Sequence, residues 1–394
     1  MMNTRHIARL TSLPLLTSLL VLAGCSDRDI PTAGEFEDEA SLAEARAFPR
    51  GEALKVLTRN MYMGGDVGIV FGADLTDPAA VAAAATAVWG QIQATNFPER
   101  AQALAAEIDE NRPHLVAIQE IPRYVILNGT FQPVGLQDHL AILQAELGDL
   151  PYTLAEVQEN TTTVMPVILQ TGLHYVQYTD RIAVLVRNDL DVTGTDKGTF
   201  AAHYPLAEGL GLKRGWIRVS ADVGGVPYHF VNTHLEVQTF APIQAGQTQE
   251  LLEGVTEDLD GVTILTGDLN SDAAAGPGAP SWTPSYETLL AAGFQDTWKL
   301  DHPGRSHTGL TCCQEKELAN ETSVLDERID FILIRSADRR GGNHRMPGSI
   351  HVDLVGEEVS DRIYPSGAAT GLWPSDHAGV LASFRIPSAI FRIP

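Results

Sequence analysis

Apolar residues fall into short runs, rich in β-branched side chains, that stop abruptly on acids, amides and histidines. This is the pattern of buried strands ending at a polar edge. The sharpest example is Val262-Thr263-Ile264-Leu265-Thr266-Gly267-Asp268-Leu269-Asn270. On an extended backbone Asp268 and Asn270, two positions apart, share one side while Leu269 faces the other. Tyr228 to Val231 leads in the same way into Asn232-Thr233-His234. Further strands are expected at residues 54–58, 115–120, 152–157, 182–187, 216–223, 329–335, 349–355 and 378–384. Helical spacing or composition marks 78–95, 98–111, 136–147, 242–259 and 284–292; in the second of these, Ala101, Leu104, Ala105 and Ile108 form one face. Strand pairs joined by turns are interspersed with helices, which does not fit the strict alternation of a parallel barrel. It fits an α/β sandwich with mixed sheets. No internal repeat or interdomain linker interrupts the stretch 51–386, which is read as one domain followed by a tail at 387–394.

Composition adds a constraint on partners. The chain has 394 residues, 44% hydrophobic and 20% charged, enough for a large core, and a formal net charge of −23. A protein this acidic has no general attraction to phosphate backbones or anionic lipid, so cations at the site must supply it. The first residues address the compartment. Arg5 and Arg9 precede an apolar stretch from Leu10 to Ala23 that is too short for an ordinary membrane span, and Leu22-Ala23-Gly24-Cys25 follows at once. This resembles a bacterial lipoprotein signal with its lipobox. The resemblance implies a signal peptide at 1–24, lipidation of Cys25 and attachment to the cell envelope, facing the periplasm or the cell surface. Ser26, where an Asp would retain the protein at the inner membrane, favours the outer one. The acidic, polar stretch 25–50 reads as a tether. The other two cysteines, Cys312 and Cys313, are neighbours, which suits a structural role or a vicinal disulfide better than a spaced zinc site.

Collecting the polar groups that close apolar strands gives Asn60, Glu120, Asn232, His234, Asp268, Asn270, Asp330 and the pair Asp376-His377. Carboxylates and amide oxygens favour Mg²⁺, Mn²⁺ or Ca²⁺ over zinc, and two histidines add proton transfer near neutral pH. Such a set can neutralise charge, activate water and stabilise a strained phosphoryl group. Asn60, Ile118-Gln119-Glu120, Asn232-Thr233-His234, Gly267-Asp268-Leu269-Asn270, Arg328-Ile329-Asp330 and Ser375-Asp376-His377 together resemble the ordered motifs of the endonuclease/exonuclease/phosphatase superfamily. The resemblance covers roughly residues 54–384 and implies a DNase I-like four-layer α/β sandwich, two mixed β-sheets packed between helices. It also implies metal-dependent hydrolysis of phosphate esters by in-line attack of water. Carried over residue by residue, Asn60, Glu120 and Asp376 would hold Mg²⁺ (or Mn²⁺ or Ca²⁺). His234, Asp268, Asn270, Asp330 and His377 would be catalytic, and Arg181, Asn232 and Asn270 would contact phosphate.

The residues leave the substrate open among nucleic acid, phospholipid and small phosphoesters, and point to no protein partner. Residues 164–169 and 200–212 are the stretches that could reach lipid, although such stretches are more often core. A reading of a different class is a catalytically silent envelope lipoprotein that uses the fold to bind a ligand. The complete motif set speaks against it. His307, His351 and Arg339-Arg340 read as surface groups, and Ala82 to Ala85 as helix packing.

Overall fold

The computed structural model describes residues 52–207, 210–304, 308–337, 347–365 and 370–386. The signal segment, Cys25, the tether, the tail, His307 and Arg339-Arg340 lie outside them. The chain opens a first sheet with β1 (Ala53–Asn60), β2 (Leu115–Gln119), β3 (Arg123–Leu127), β4 (Pro133–Asp138), β5 (Tyr152–Leu169) and β6 (Gly172–Arg187). It then builds a second sheet from β7 (Asp191–Thr199), β10 (Gly215–Val223), β11 (Val226–His234), β12 (Gly261–Asp268), β13 (Gln295–Asp296) and β14 (Asp330–Ala337), with a small ribbon, β8 (Tyr204–Ala207) and β9 (Leu210–Leu212), between β7 and β10. It returns to the first sheet with β15 (Ile350–Val355) and β16 (Gly379–Arg385). The strand orders are β15-β16-β1-β2-β6-β3-β4, with β5 also paired to β6, and β13-β14-β12-β11-β10-β7.

The two sheets face each other because their central strands are apolar on both sides. From β1 and β2, Leu54, Val56, Leu115 and Ala117 point inward and meet Ile217, Val219, Phe230 and Ile264 of the second sheet. The alternate residues Leu57, Val116 and Ile118 point outward against Phe97, Leu104 and Leu143 of the helices Phe97–Asn111 and His139–Leu147. On the far side Val231, Leu265 and Leu333 pack on Leu251, Tyr286 and Leu289. The result is the expected four-layer α/β arrangement, produced by the period-two alternation of each strand.

We number the α-helices α1 (Gly68–Phe71), α2 (Pro78–Ala94), α3 (Phe97–Asn111), α4 (His139–Leu147), α5 (Ala241–Glu250), α6 (Ser285–Ala291) and α7 (Thr297–Asp301). Asp77 caps α2 by accepting from the Ala79 N–H, with Pro78 in the first turn where its missing donor does no harm. The expected helix 136–147 begins later, at His139. Residues 133–138 pair instead with β3, and Asp138 caps the helix by accepting from Leu140 and Ala141. The expected helix 242–259 ends as an α-helix at Glu250 and closes with a π turn, Leu251–Val255. The expected strand 152–157 is the start of an 18-residue strand that forms a long hairpin with β6. That hairpin contains residues 164–169. In the stretch 200–212, Phe200 is core, whereas the Tyr204 ring packs at a tilt against Phe240.

Candidate active site

Register assembles the site along one edge of both sheets. In the second sheet β11 runs parallel to β12, with His234 opposite Asp268, and β14 runs antiparallel to β12, with Asp330 opposite Asp268. Asp268 is therefore flanked on both sides by strand neighbours that carry chemistry. In the first sheet Asn60, the last residue of β1, lies opposite Gln119, so Glu120 follows at the same edge. His377 arrives just before β16, which pairs with β1. The parallel pairing needs a glycine at 267: its φ is +133°, and a Cβ there would lie 1.9 Å from the Thr233 carbonyl oxygen.

The polar side chains hold one another. Asn60 donates from Nδ2 to Glu120 Oε1 (3.2 Å) and Asp268 Oδ2 (3.1 Å), while its Oδ1 accepts from the Tyr62 N–H (3.0 Å). Glu120 Oε2 accepts from the Met63 N–H at 2.9 Å, and Asp268 Oδ1 accepts from the Asn270 N–H at 2.8 Å. Tyr62, Glu120 and Asn270 all have left-handed φ (57°, 51° and 48°), a conformation that non-glycine residues keep only where the surroundings enforce it. Arg100, fully buried, supplies part of that enforcement by donating to the carbonyls of Met61, Tyr62, Thr95 and Pro374. Arg59 donates to the His377 carbonyl and pairs with Glu107.

The two histidines sit in opposite electrostatic surroundings. Burial opposes charge on His377, but Asp330 and Asp376 hold its pKa well above the usual imidazole range, and Nδ1 donates to Asp330 Oδ2 at 2.8 Å. This leaves Nε2 facing the site, 3.9 Å from Asp268 Oδ2 and 3.9 Å from Asp376 Oδ1. His234 is pushed well below the usual range by burial, Arg214 and His377. Arg214 Nη1 lies 3.0 Å from its Nδ1 and 3.4 Å from its Nε2, and Nε2 is 3.5 Å from Asp268 Oδ2. Asp268 is pushed up to about 7 by burial and Asp330, with His377 opposing, and Asp376 to about 7 by burial and Glu120, again with His377 opposing.

The structure brings Glu120, His234, Asp268, Asn270, Asp376 and His377 to the wall of one cavity of about 770 Å³. Asp330 stands behind His377. Asn60 stands behind the carboxylates with its NH₂ group toward them, so in this arrangement it clamps Glu120 and Asp268 rather than offering a ligand oxygen. Two of the expected phosphate contacts are elsewhere. Asn232 spends its amide between the sheets, accepting from Gln119 and donating to the carbonyls of Ile118 and Ala183. Arg181 points away from the cavity, donating to the carbonyls of Ile121 and Pro122 and pairing with Asp138. Its neighbour Asp180 lines the cavity instead, as strand alternation requires.

The guanidinium at the cavity is Arg214, which sequence reasoning missed although Lys213-Arg214 directly precedes β10. Burial alone would lower its pKa, but Glu236 and Asp180 hold it above the usual value. Cys312 and Cys313 form a disulfide on the cavity wall, with Cys313 Sγ 3.9 Å from His377 Nε2. His351 is an exposed group paired with Asp301, as expected. Oxygen donors dominate the centre, and single ligand atoms of Glu120, His234 and Asp268 lie within 4.8 Å of one another. A hard divalent cation fits this donor set, since it would neutralise Asp268 and the nearby Asp376, which burial and neighbouring acids otherwise drive toward protonation.

No curated protein matches the chain. Solved structures do. An endonuclease/exonuclease/phosphatase family protein from Leptotrichia buccalis C-1013-b is 17% identical, with 85% of this chain and 100% of that one covered and a TM-score of 0.52. A protein of the same description from Bacteroides thetaiotaomicron is 16% identical over 86% and 100% of the two chains, with a TM-score of 0.49. TDP2 from D. rerio, complexed with a single-strand DNA product, is 14% identical over 84% and 99%, with a TM-score of 0.49. The pattern of the Endonuclease/Exonuclease/phosphatase family matches residues 84–377. Motif order, sandwich architecture and this match agree: the chain belongs to the endonuclease/exonuclease/phosphatase family, whose members generally hydrolyse phosphoester bonds with divalent metals.

Proposed function

We propose that the protein is a phosphodiesterase dependent on Mg²⁺, with Mn²⁺ or Ca²⁺ as substitutes. The observation that carries the reading is the convergence of Glu120, His234, Asp268, Asp376 and a His377–Asp330 pair on one cavity beside Arg214. Glu120 and Asp376 would hold the cation, which when bound supplies charge neutralisation at the phosphate. Asp268, positioned by Asn60 and by the Asn270 N–H, accepts the proton of the attacking water. His377, locked by Asp330, presents a charged Nε2–H to a phosphate oxygen and stabilises the charge that builds there. Arg214 reads a second phosphate oxygen and, by accepting nothing, keeps His234 a neutral ring beside Asp268. The water oxygen bonds to phosphorus as the bond from phosphorus to the ester oxygen breaks; the departing oxygen takes a proton from solvent and leaves as the alcohol, and Asp268 returns to solvent the proton that it accepted.

The N-terminal pattern supports attachment to a bacterial envelope through lipidated Cys25, with the outer membrane favoured. Hydrolysis of bis-p-nitrophenyl phosphate by the domain from residue 51 tests the chemistry, with each cation and with chelator. Turnover should be lost on chelation and in both Glu120→Ala and His377→Ala. Turnover that survives chelation would refute the metal-dependent reading.

A further inference from the structure

The catalytic groups occupy only one end of the cavity. The other end is hydrocarbon: Val70 and Phe71 of α1, Val88 and Trp89 of α2, and Met165 and Val167 of β5 line it. The Ala-rich face of α2 stands over the β5–β6 hairpin, and small side chains such as Ala85 leave the space between them unfilled. At the mouth, Phe71 and Leu75 are 47% and 61% exposed, so the apolar lining continues onto the surface. Charge is distributed against a polyanion. Lys213 and Arg214 are the lysine and arginine of the lining, whereas Asp66, Asp180, Asp326 and Glu327 add acids beyond the catalytic ones. A nucleic acid would bring further phosphates to these carboxylates, and grooves for single strands are basic.

The geometry points to a hydrocarbon subsite: the substrate is a lipid-type phosphodiester, with a single phosphate at the polar end and one aliphatic arm between α2 and the β5–β6 hairpin. This rests on the hydrolase reading above and specifies its substrate. A cavity of about 770 Å³ has room for much more than a phosphate group. Filling the apolar end removes from water a surface that the fold itself leaves uncovered. The residues 164–169 reach lipid in an unexpected way. They do not project as a tip; Met165 and Val167 face the cavity while Val164 and Ile168 alternate to the surface.

The test is a series of p-nitrophenyl alkyl phosphates, methyl to dodecyl, each below its micelle concentration, with Mg²⁺. KM should fall about three- to fourfold per methylene over the first several carbons. Ala85→Trp and, separately, Val70→Asp should flatten this dependence, with circular dichroism and the melting midpoint reporting that each variant folds. Turnover of the methyl ester with no chain-length dependence would overturn the subsite and leave the hydrolase reading standing. Faster cleavage of a single-stranded oligonucleotide than of the dodecyl ester would overturn it in favour of nucleic acid. If no ester is turned over with Mg²⁺, Mn²⁺ or Ca²⁺, the hydrolase reading fails. The subsite is then decided by calorimetric binding of monomeric dodecylphosphocholine, which should occur with the wild type and be lost in Ala85→Trp; no binding by the wild type would overturn it.

Discussion

The two ends of the cavity are built on different principles. At the polar end the side chains are over-determined: Asn60 makes three hydrogen bonds, Asp268 is held from three directions, and Glu120 and Asn270 are kept in left-handed backbone conformations. At the apolar end Ala85, Val88 and Val167 meet their neighbours by packing alone and leave open volume. Chemistry at phosphorus requires groups placed to within a fraction of an ångström, which takes directional bonds and tolerated strain. Recognition of a hydrocarbon requires only area, since the hydrophobic effect has no direction. Precision is concentrated where bonds are broken.

If that contrast is right, the largest effect comes from disturbing the frame of the polar end. Gly267→Ala should cost at least about 4 kcal/mol or prevent folding, because its Cβ would overlap the Thr233 carbonyl within the β11–β12 pair. Urea denaturation checks this, and a loss under about 1 kcal/mol would show the edge to be softer than argued.

Next in size is a change that leaves the frame in place. Asp268→Asn keeps the shape but removes the proton acceptor, and kcat should drop by about 10³-fold with little change in KM. A drop under about tenfold would reassign the base.

Strain at the polar end gives a smaller effect of opposite sign. Glu120→Gly should abolish turnover yet leave stability unchanged or raise it by up to about 1 kcal/mol, since glycine adopts the φ of 51° freely and one half-buried acid is gone. A loss of more than about 2 kcal/mol would mean that the hydrogen bonds of Glu120 outweigh its strain.

The last effect lies away from both ends and serves as a control. His114, whose Nδ1 accepts from the Lys55 N–H, has its pKa lowered to about 4 by burial and then by Arg187. Because the folded pKa lies below the unfolded value, the unfolded chain takes the proton first. This contribution is complete above about pH 6.5 and is lost as pH falls toward 4, with a slope of at most about 1.4 kcal/mol per pH unit. Stability measured from pH 7 to 4 should therefore fall more steeply for the wild type than for His114→Asn. Parallel curves would show that His114 does not titrate as described.

Much of the polar end was legible in the sequence because its residues close apolar strands. A run such as 262–270 specifies at once a buried strand, the side on which Asp268 lies, and the break where the site begins. Where reading failed, parity or partner choice decided. Arg181 and Asp180 are adjacent, and strand alternation turned the acid to the cavity and the guanidinium toward Asp138. Asn232 also closes a strand, but Gln119 from the other sheet claims its oxygen. Arg214 carried no motif, and only the approach of β10 to β11 put it beside His234.

By itself the sequence determined most strands and helices, though not β3, β4, β7, β13 or the β8–β9 ribbon, as well as the sandwich class, the family and the acid, amide and histidine set, since each depends on local periodicity or on residues within a few positions. Tertiary structure alone decided which of these side chains reach the cavity and that its far end is hydrocarbon. That wall joins α2 to a hairpin some 80 residues later, through contacts such as the Ile168 N–H donating to the Thr86 hydroxyl, 82 positions apart. A void between two such elements depends on how far apart they dock, and docking distance is a property of the packed whole rather than of either segment.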